Sequence, residues 1–446
     1  MSAPRLRLTL PSGPLTLRNA RASLLGALWA WSEDGLVVSS NENASALEDL
    51  EWLGVEPDAM ASAPKQARYD AAAAELEARG AAYRCYCTSG QYREMPASKS
   101  GPEPILYDGR CGRLKPAERA SLEKSGRKHR FRLRTPDTRP ELPAPWHDQP
   151  WPDTDRVLME TDGTPAPAFA AAVNDHAAQA DTSLVDGDAR SWLMERALIE
   201  LALERPLPRL VHVPAFRGSE QSIAALREDG HPRRALLAAL VHDIWLLPSG
   251  PLQPDLEDTA EAFSIDAAQR DADTTAELDE DGLRALSQET LQAADEADLR
   301  ATLVEHLTRR GYGIMQHEPE WQAAFCAATR SSLHTLADAE RLAAVLTAPT
   351  VDYDPSIIRT LSRPYVGPAL DWFESQLKAV PDGDIAAWRA AIQAFRQDAA
   401  SPGRALATLR LVVTGHREGP ALGPILGLLG HERCRGRLEK ARRHMR

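Results

Sequence analysis

Apolar and polar positions change period several times along this chain, and the changes mark its elements. RLRLTL, residues 5–10, alternates by two as a strand does, and the turn residues PSGP follow. Behind them ARASLLGALWAW, from Ala20 to Trp31, repeats apolar residues at helical spacing. Next come LVVSS, a short strand, and SALEDLEWLG, a helix stopped at Gly54 and Pro57; a third helix spans Lys65 to Arg79, with Gly80 as its stop. Strand and helix in alternation predict a Rossmann-like α/β layer. From Tyr83 to about Trp151 the periodicity fails, so this stretch reads as an insertion between two halves of the α/β domain. The pattern resumes with PAPAFAAAVNDH and TSLVDGDA, expected as two short strands, then the apolar helix SWLMERALIELALE and the strand PRLVHVPAF. From about Ser222 almost every segment has helical period, including RRALLAALVHDIW, DLRATLVEHLTRR and EWQAAFCAATRSSLHTLADAERLAAVL, which predicts an all-helical second half.

Length and composition fit that reading. At about 150 residues per domain, 446 residues suggest about three domains. Hydrophobic residues at 43% and charged residues at 26% are those of a soluble globular chain, which excludes a wholly disordered or collagenous one. No run approaches the roughly 18 apolar residues of a spanning helix. The start, MSAPRLRLTLPSG, lacks the apolar block of a secretory signal, so a cytoplasmic protein without a membrane partner is expected.

The formal charge of -12 counts against a nucleic-acid partner until it is located. Residues 251–300 carry 15 acids against Arg270, Arg284 and Arg300, a local net of -12 that accounts for the whole imbalance. This acidic stretch, centred on DADTTAELDEDG, is polar enough to contain a mobile connection. By contrast, residues 110–139 carry 11 Lys and Arg against three acids, and residues 431–446 carry 7 against 2. Two basic zones therefore remain where a phosphate backbone could lie, although charge runs are commonly solvated faces. Five cysteines do not make a disulfide framework, but Cys85, Cys87 and Cys111 crowd together and suggest a metal.

Several of these stretches carry a resemblance. LRNARASLLGALWAW, ALEDLEWLGVEPD, AAYRCYCT, YDGRC, AAAVNDH and the closing RALATLRLVVTGHREGPALGPILGLLGHERCRGRLEKA resemble, in order and spacing, the bacterial glutamyl-tRNA synthetase family of class I aminoacyl-tRNA synthetases, nearly end to end. The resemblance implies an α/β Rossmann-like catalytic domain with an inserted acceptor-binding subdomain, followed by an all-α stem-contact and anticodon-binding region. Residues 1–82 and 156–222 would be the two catalytic halves and 83–155 the insertion. Residues 223–310 would be the stem-contact region with its acidic linker, and 311–446 the anticodon-binding-like domain. The reaction implied is ATP-dependent attachment of glutamate to tRNA, with tRNA as partner, ATP as cosubstrate and a structural Zn²⁺.

The signature motifs depart from the family pattern. The block LHIGxAR corresponds to Leu15, Thr16, Leu17, Arg18, Asn19, Ala20 and Arg21: Thr16 replaces the histidine, and Arg18 fills the place of a glycine that lets backbone approach phosphate. RIEDTD is replaced by SSNENAS, and RGED by Asp186, Gly187, Asp188 and Ala189. The second class I signature needs a lysine near the triphosphate, yet no lysine stands between Lys128 and Lys378, and RGSE alone separates VHVPAF from QSIAALREDG. Arg217 is the cation of that shortened segment. Thr16, Leu17, Arg18, Asn19, Arg21 and Arg217 are thus the remnants of the ATP site, and Asp186, Gly187 and Asp188 those of the substrate site.

Other motifs survive. Cys85, Cys87, Tyr107 and Cys111 resemble the family's zinc site; some relatives use a His two positions after the last Cys, where this chain has Arg113, which favours Tyr107. The alternative is a small apolar knot of reduced cysteines. Arg110, Arg113, Lys115, Arg127, Lys128, Arg130, Arg132 and Arg134 lie where the family contacts the acceptor arm and are expected to bind nucleic acid. Together these readings predict a pseudo-synthetase that binds tRNA or a protein partner. The competing expectations are an active ligase whose ATP site is rebuilt around Arg18, Arg21 and Arg217, and a purely structural interaction protein.

Overall fold

The computed structural model describes residues 3–40, 43–62, 65–96, 106–185, 192–212, 215–218, 220–241, 256–261, 263, 275–398 and 402–445. The chain divides into two compact units, Met1–Ala224 with Leu237–Glu280, and Ala225–Leu236 with Asp281–Arg446.

The first unit is built on five parallel strands in the order β3-β2-β1-β7-β8. These are β1 (Arg5–Arg7), β2 (Leu36–Ser40), β3 (Ala59–Ala61), β7 (Thr182–Val185) and β8 (Arg209–His212). Helix α1 (Leu17–Ser32) crosses from β1 to β2, with Leu24, Leu25, Ala27 and Leu28 fully buried. The LVVSS strand reads as a buried run because parallel strands are covered on both faces. Helices α2 (Ala44–Trp52) and α3 (Gln66–Ala78) follow the predicted order.

Between α3 and β7 the chain forms a second sheet, antiparallel and in the order β4-β5-β6, from β4 (Ala82–Cys85), β5 (Arg130–Leu133) and β6 (Arg156–Met159). Helices α4 (Ser89–Arg93) and α5 (Pro116–Lys124) lie in the long β4–β5 connection. One sheet face carries Ala82, Phe131 and Leu133 into a core shared with Tyr69, Leu76, Phe169 and Ile199. The other carries Tyr83 and Cys85 into a separate cluster with Tyr86, Tyr92, Tyr107 and Cys111. Each strand has four residues, too short for the alternation of RFRL in β5 to stand out against the basic run that contains it.

PAPAFAAAVNDH is a helix rather than the expected strand. Helix α6 (Pro167–Ala177) starts with Pro167 in its first turn and buries Ala168, Phe169, Ala172 and Val173, a helical spacing. Helix α7 (Leu193–Ala202) follows β7 as predicted. Part of the acidic stretch is also ordered: β10 (Thr275–Glu277) pairs in parallel with β9 (Ala215–Arg217), while residues 264–274 lie outside the described residues.

The second unit is helical, and its core joins Leu303, Leu307, Phe325, Leu370, Phe373, Trp388, Leu409 and Leu426. In its last helical segment, Leu422–Arg443, which kinks at Gly430, the side chain of Arg437 is 1% exposed and donates to the carbonyls of Val345 (2.6 Å), Ala348 (2.8 Å) and Val413. These belong to the ends of the helices Glu340–Thr347 and Pro402–Thr414, where orphan carbonyls favour a cation. Residues 225–236 are docked onto this unit. Leu336 donates to the Gly230 carbonyl (2.8 Å), Arg234 meets Asp298 at 3.0 Å, and His231 Nδ1 lies 2.7 Å from Ser287 Oγ. Gly230 has φ of 84°, and a Cβ there would stand 2.4 Å from the Ala337 nitrogen, so only glycine fits.

Candidate functional site

In an open parallel sheet, ligands bind beyond the carboxyl ends of the strands where the strand order reverses. Here the order reverses between β1 and β7, so the crevice lies past Arg7 and Val185, beside the start of α1. The loop from β1 to α1 is held in place from two sides. Asn43 Nδ2 donates to the carbonyls of Pro11 (2.9 Å) and Gly13 (2.8 Å), and Ile223 donates to Leu15 (2.7 Å) next to a bridge between Thr16 and Ser222. Thr16 caps the helix without a side-chain bond to its backbone, its hydroxyl donating instead to Asn19 Oδ1 at 3.0 Å. Leu17 is fully buried and Arg18 is exposed.

Two of the arginines expected around ATP differ in their surroundings, Arg21 being buried and Arg217 exposed. Arg21, one turn into α1, is 2% exposed, and its guanidinium lies over the Phe216 ring at 4.8 Å. Neighbouring strand residues point to opposite faces, so Arg217 leaves β9 on the side away from Arg21. It is 74% exposed and faces Glu277 on β10 at 3.7 Å. Asp186, Gly187 and Asp188 lie outside the described residues.

Beneath the crevice is a buried ionic cluster that sequence reasoning missed. Asp175 of α6 accepts from Arg7 Nε at 2.6 Å, from Arg196 Nη1 at 3.1 Å and from Ser183 Oγ at 3.0 Å, while Arg196 Nε also meets Glu200 at 2.7 Å. All four charged side chains are under a tenth exposed. Burial pushes the Glu200 carboxyl above its ordinary range, against the pull of Arg196. Scattered over nearly 200 positions, these residues share no spacing that could have announced them.

The cysteine knot does assemble. Gly109, at φ of 71°, turns YDGRC back on itself, and Gly112 lets the chain approach the Tyr83 ring, 3.0 Å from where a Cβ would sit. The sulfurs of Cys85, Cys87 and Cys111 all lie within 4.8 Å of one another, with Cys87 and Cys111 at 3.6 Å. The Tyr107 hydroxyl is 3.5 Å from Cys85 Sγ and 3.9 Å from Cys87 Sγ, and it accepts from the Cys111 amide at 3.0 Å. Tetrahedral zinc with bonds of about 2.3 Å to sulfur requires donors about 3.8 Å apart, so this donor set fits such an ion. Hydrogen bonds from Cys111 and then Cys87 draw the Cys85 thiol well below its ordinary range, and the same sharing drives Cys87 up. Burial raises the Tyr107 phenol. A second tyrosine, not foreseen, reaches the knot: Tyr92, whose hydroxyl is 3.2 Å from Cys85 Sγ.

The basic zone divides into two populations. Arg113, Lys115, Arg127, Lys128 and Arg134 are exposed, and Arg110 is partly exposed beside Asp108 at 2.7 Å. RFRLR does not present its arginines to solvent as a set. Arg132 is 2% exposed, so the expectation that it contacts phosphate is corrected: its guanidinium lies 4.1 Å over the Tyr107 ring and 5.6 Å from that of Tyr92. Arg130 packs over Tyr92 at 4.9 Å and pairs with Glu160, and Arg134 packs over Tyr83 at 5.0 Å. Period-two spacing puts all three on the knot's side of the sheet.

The second unit contains a cleft that the sequence did not reveal. Two adjoining cavities of about 270 and 340 Å³ share Arg341, His416 and Glu418 in their walls, with Arg417 beside the first and Arg410 beside the second. Burial, then Arg341, lowers the proton affinity of His416.

Comparison with known proteins decides the lineage. A family model described as tRNA synthetases class I (E and Q), catalytic domain, matches residues 37–241, and one described as anticodon binding domain matches 298–442. Glutamate–tRNA ligase 2 of Acidithiobacillus ferrooxidans is 30% identical over 97% of this chain and 94% of its own. The chain belongs to the glutamate–tRNA ligase family. Glutamate–tRNA ligase 2 of Granulibacter bethesdensis is 27% identical over 96% of both chains. The fold of this glutamate–tRNA ligase family member also matches the crystal structure of a glutamate tRNA ligase from Elizabethkingia meningosepticum in complex with its amino acid. That match has a TM-score of 0.69 and 16% identity and covers 100% of both chains. The fold is therefore that of the family, a Rossmann-like parallel sheet followed by a mostly helical region with its anticodon domain. Among the described residues no helix is long and apolar enough to cross a membrane.

Proposed function

We propose that this family member is a pseudo-synthetase: its ATP and glutamate pockets are eroded, and it works by holding tRNA or a partner protein. The observation that carries the reading is the fate of the arginines at the nucleotide end. A phosphate clamp needs cations that point into one accessible volume. Arg21 is sealed under Phe216 and Arg217 leaves the opposite face of β9, which supports a site that no longer grips a triphosphate. Arg7, a cation at the crevice floor, is held by Asp175 rather than open to a substrate carboxylate. The absence of any lysine from 129 to 377 removes the remaining candidate for a mobile cationic loop. We retain in the proposal the assignment of 83–155 as an acceptor-end insertion and 311–446 as an anticodon-binding-like domain.

Binding of tRNA is expected of a member of this family, and it needs chiefly phosphate contacts, which outlast the loss of chemistry. The exposed Arg113, Lys115, Arg127 and Lys128 of the insertion suit that task, as do Arg341, Arg410 and Arg417 around the second unit's cleft. The Cys85, Cys87, Tyr107 and Cys111 set would hold one structural Zn²⁺ and brace the insertion. The decisive assay is ATP–pyrophosphate exchange with glutamate and total tRNA, run beside a salt titration of tRNA binding. The expected result is no exchange with retained, salt-sensitive binding. Robust exchange would overturn the proposal in favour of a rebuilt active site.

A further inference from the structure

We propose that the RFRLR strand is the outer shell of the metal knot, with Arg132 as a positioning residue for its donors. The inference rests on the zinc reading above. Arg130 and Arg132 of β5, with Arg134 just past its end, stack on Tyr92, Tyr107 and Tyr83 in turn, forming a ladder of guanidinium over ring. The middle rung is the one that reaches the donors. Arg132 Nη2 donates to the Tyr92 hydroxyl at 3.1 Å, and that hydroxyl lies 3.2 Å from Cys85 Sγ. Because the phenol oxygen accepts from Arg132, its hydrogen is directed at the sulfur. The same guanidinium covers the ring of Tyr107, whose oxygen reaches Cys85 and Cys87, and its Nη1 donates to the carbonyl of Asp155, the residue before β6.

Tyr107 and Tyr92 thereby take different parts. Tyr107 approaches two sulfurs and has one lone pair engaged by the Cys111 amide, so it completes the donor set. Tyr92 approaches Cys85 and supports it from outside. Charge gives the arrangement its purpose. Three thiolates round a divalent ion leave one net negative charge, and Cys85, Cys111 and Tyr107 are buried, at 2%, 6% and 4% exposure. A buried charge is costly unless compensated nearby, and Arg132 brings one positive charge against the rings that carry the donors. A break in register between β5 and β6 falls at Phe131/Arg132, where Phe131 faces Met159 and Arg132 faces Val157. Such irregularities re-aim a side chain, here at the residue that needs aiming.

The test uses the full chain loaded with zinc or cobalt. Wild type is expected to bind one Zn²⁺ per chain. In a competition with a chromophoric chelator, Arg132→Met should weaken zinc binding by about 10–100-fold, the range for outer-shell partners of metal ligands. Arg132→Lys should recover part of that loss. Tyr92→Phe keeps the ring and removes only the hydroxyl, and should weaken binding less. In the cobalt-loaded protein both Arg132→Met and Tyr92→Phe should shift the sulfur-to-cobalt charge-transfer band while the tetrahedral ligand-field pattern persists. Tyr107→Phe should alter that pattern itself. If Arg132→Met fails to fold, Tyr92→Phe still decides. Wild-type affinity and an unshifted band in the variants would show the ladder to be packing alone. A wild type that holds no zinc would instead overturn the metal reading and this inference with it.

Discussion

The start of α1 and the cysteine knot both bury an arginine against an aromatic ring, and the two burials have opposite meanings. At α1 the ring of Phe216 lies over Arg21 and separates it from the exposed Arg217 on the far face of β9. At the knot the rings over which Arg132 lies are those of tyrosines, whose hydroxyls continue the contact to sulfur. A phenylalanine ends a polar path and a tyrosine extends it. One hydroxyl thus separates an arginine whose contact ends on an apolar ring from one whose contact continues to a group of sulfurs.

The contrast can be broken most forcefully at Phe216. Phe216→Ala removes a side chain that is 4% exposed and the cover of a buried cation, and should cost about 3–5 kcal/mol in denaturant unfolding. Uncovering Arg21 should still yield no pyrophosphate exchange; exchange that appeared on this substitution would mean that the site is masked rather than eroded. A middling effect is expected from the exposed cations beside the knot. Arg127→Ala with Lys128→Ala should reduce the slope of log affinity for tRNA against log salt by about 2 if each meets one phosphate, while zinc content stays at the wild-type value. An unchanged slope would assign these two residues to a plain solvated surface.

The smallest effect should fall outside both regions and act as their control. In the second unit, burial lowers the proton affinity of His231, and burial lowers that of His306 despite its contact with Glu340 at 3.0 Å. A base whose folded pKa is depressed favours the fold in its neutral form. Its contribution is complete above the ordinary imidazole value of about 6.5 and is lost as pH falls through the lowered folded value. Thermal unfolding of the second unit should therefore move to lower temperature between pH 7 and 5. His231→Gln should flatten this dependence, and equal slopes in variant and wild type would remove His231 from the account.

Much of the α/β half was legible because its elements are long or uniformly apolar: LVVSS and ARASLLGALWAW carry their own period. The antiparallel sheet was hidden because its strands are four residues long, and the alternation of RFRLR in β5 reads as a basic run. Helix α6 was misread because Ala-rich PAPAFAAAVNDH is compatible with either period, and Pro167 in the first turn was the signal that could have settled it. For the site, cysteine spacing located the knot, since three ligands lie close in sequence. RFRLR misled because a run of arginines looks the same whether its partner is phosphate or a tyrosine 40 residues earlier. Arg341 and Arg410, which line one cavity from two different helices, left no local trace.

The helical unit is not one continuous length of chain. Residues 225–236 belong to it, and residues 237–280 return to the first unit before Asp281 resumes the helices. A single cut at residue 281 would therefore strip the helical unit of a strip of its own surface, laying bare the ground under Gly230, His231 and Arg234. The boundary that frees the helical unit therefore lies before residue 225 and not at 281, and a fragment made there carries residues 237–280 of the first unit along as an internal excursion.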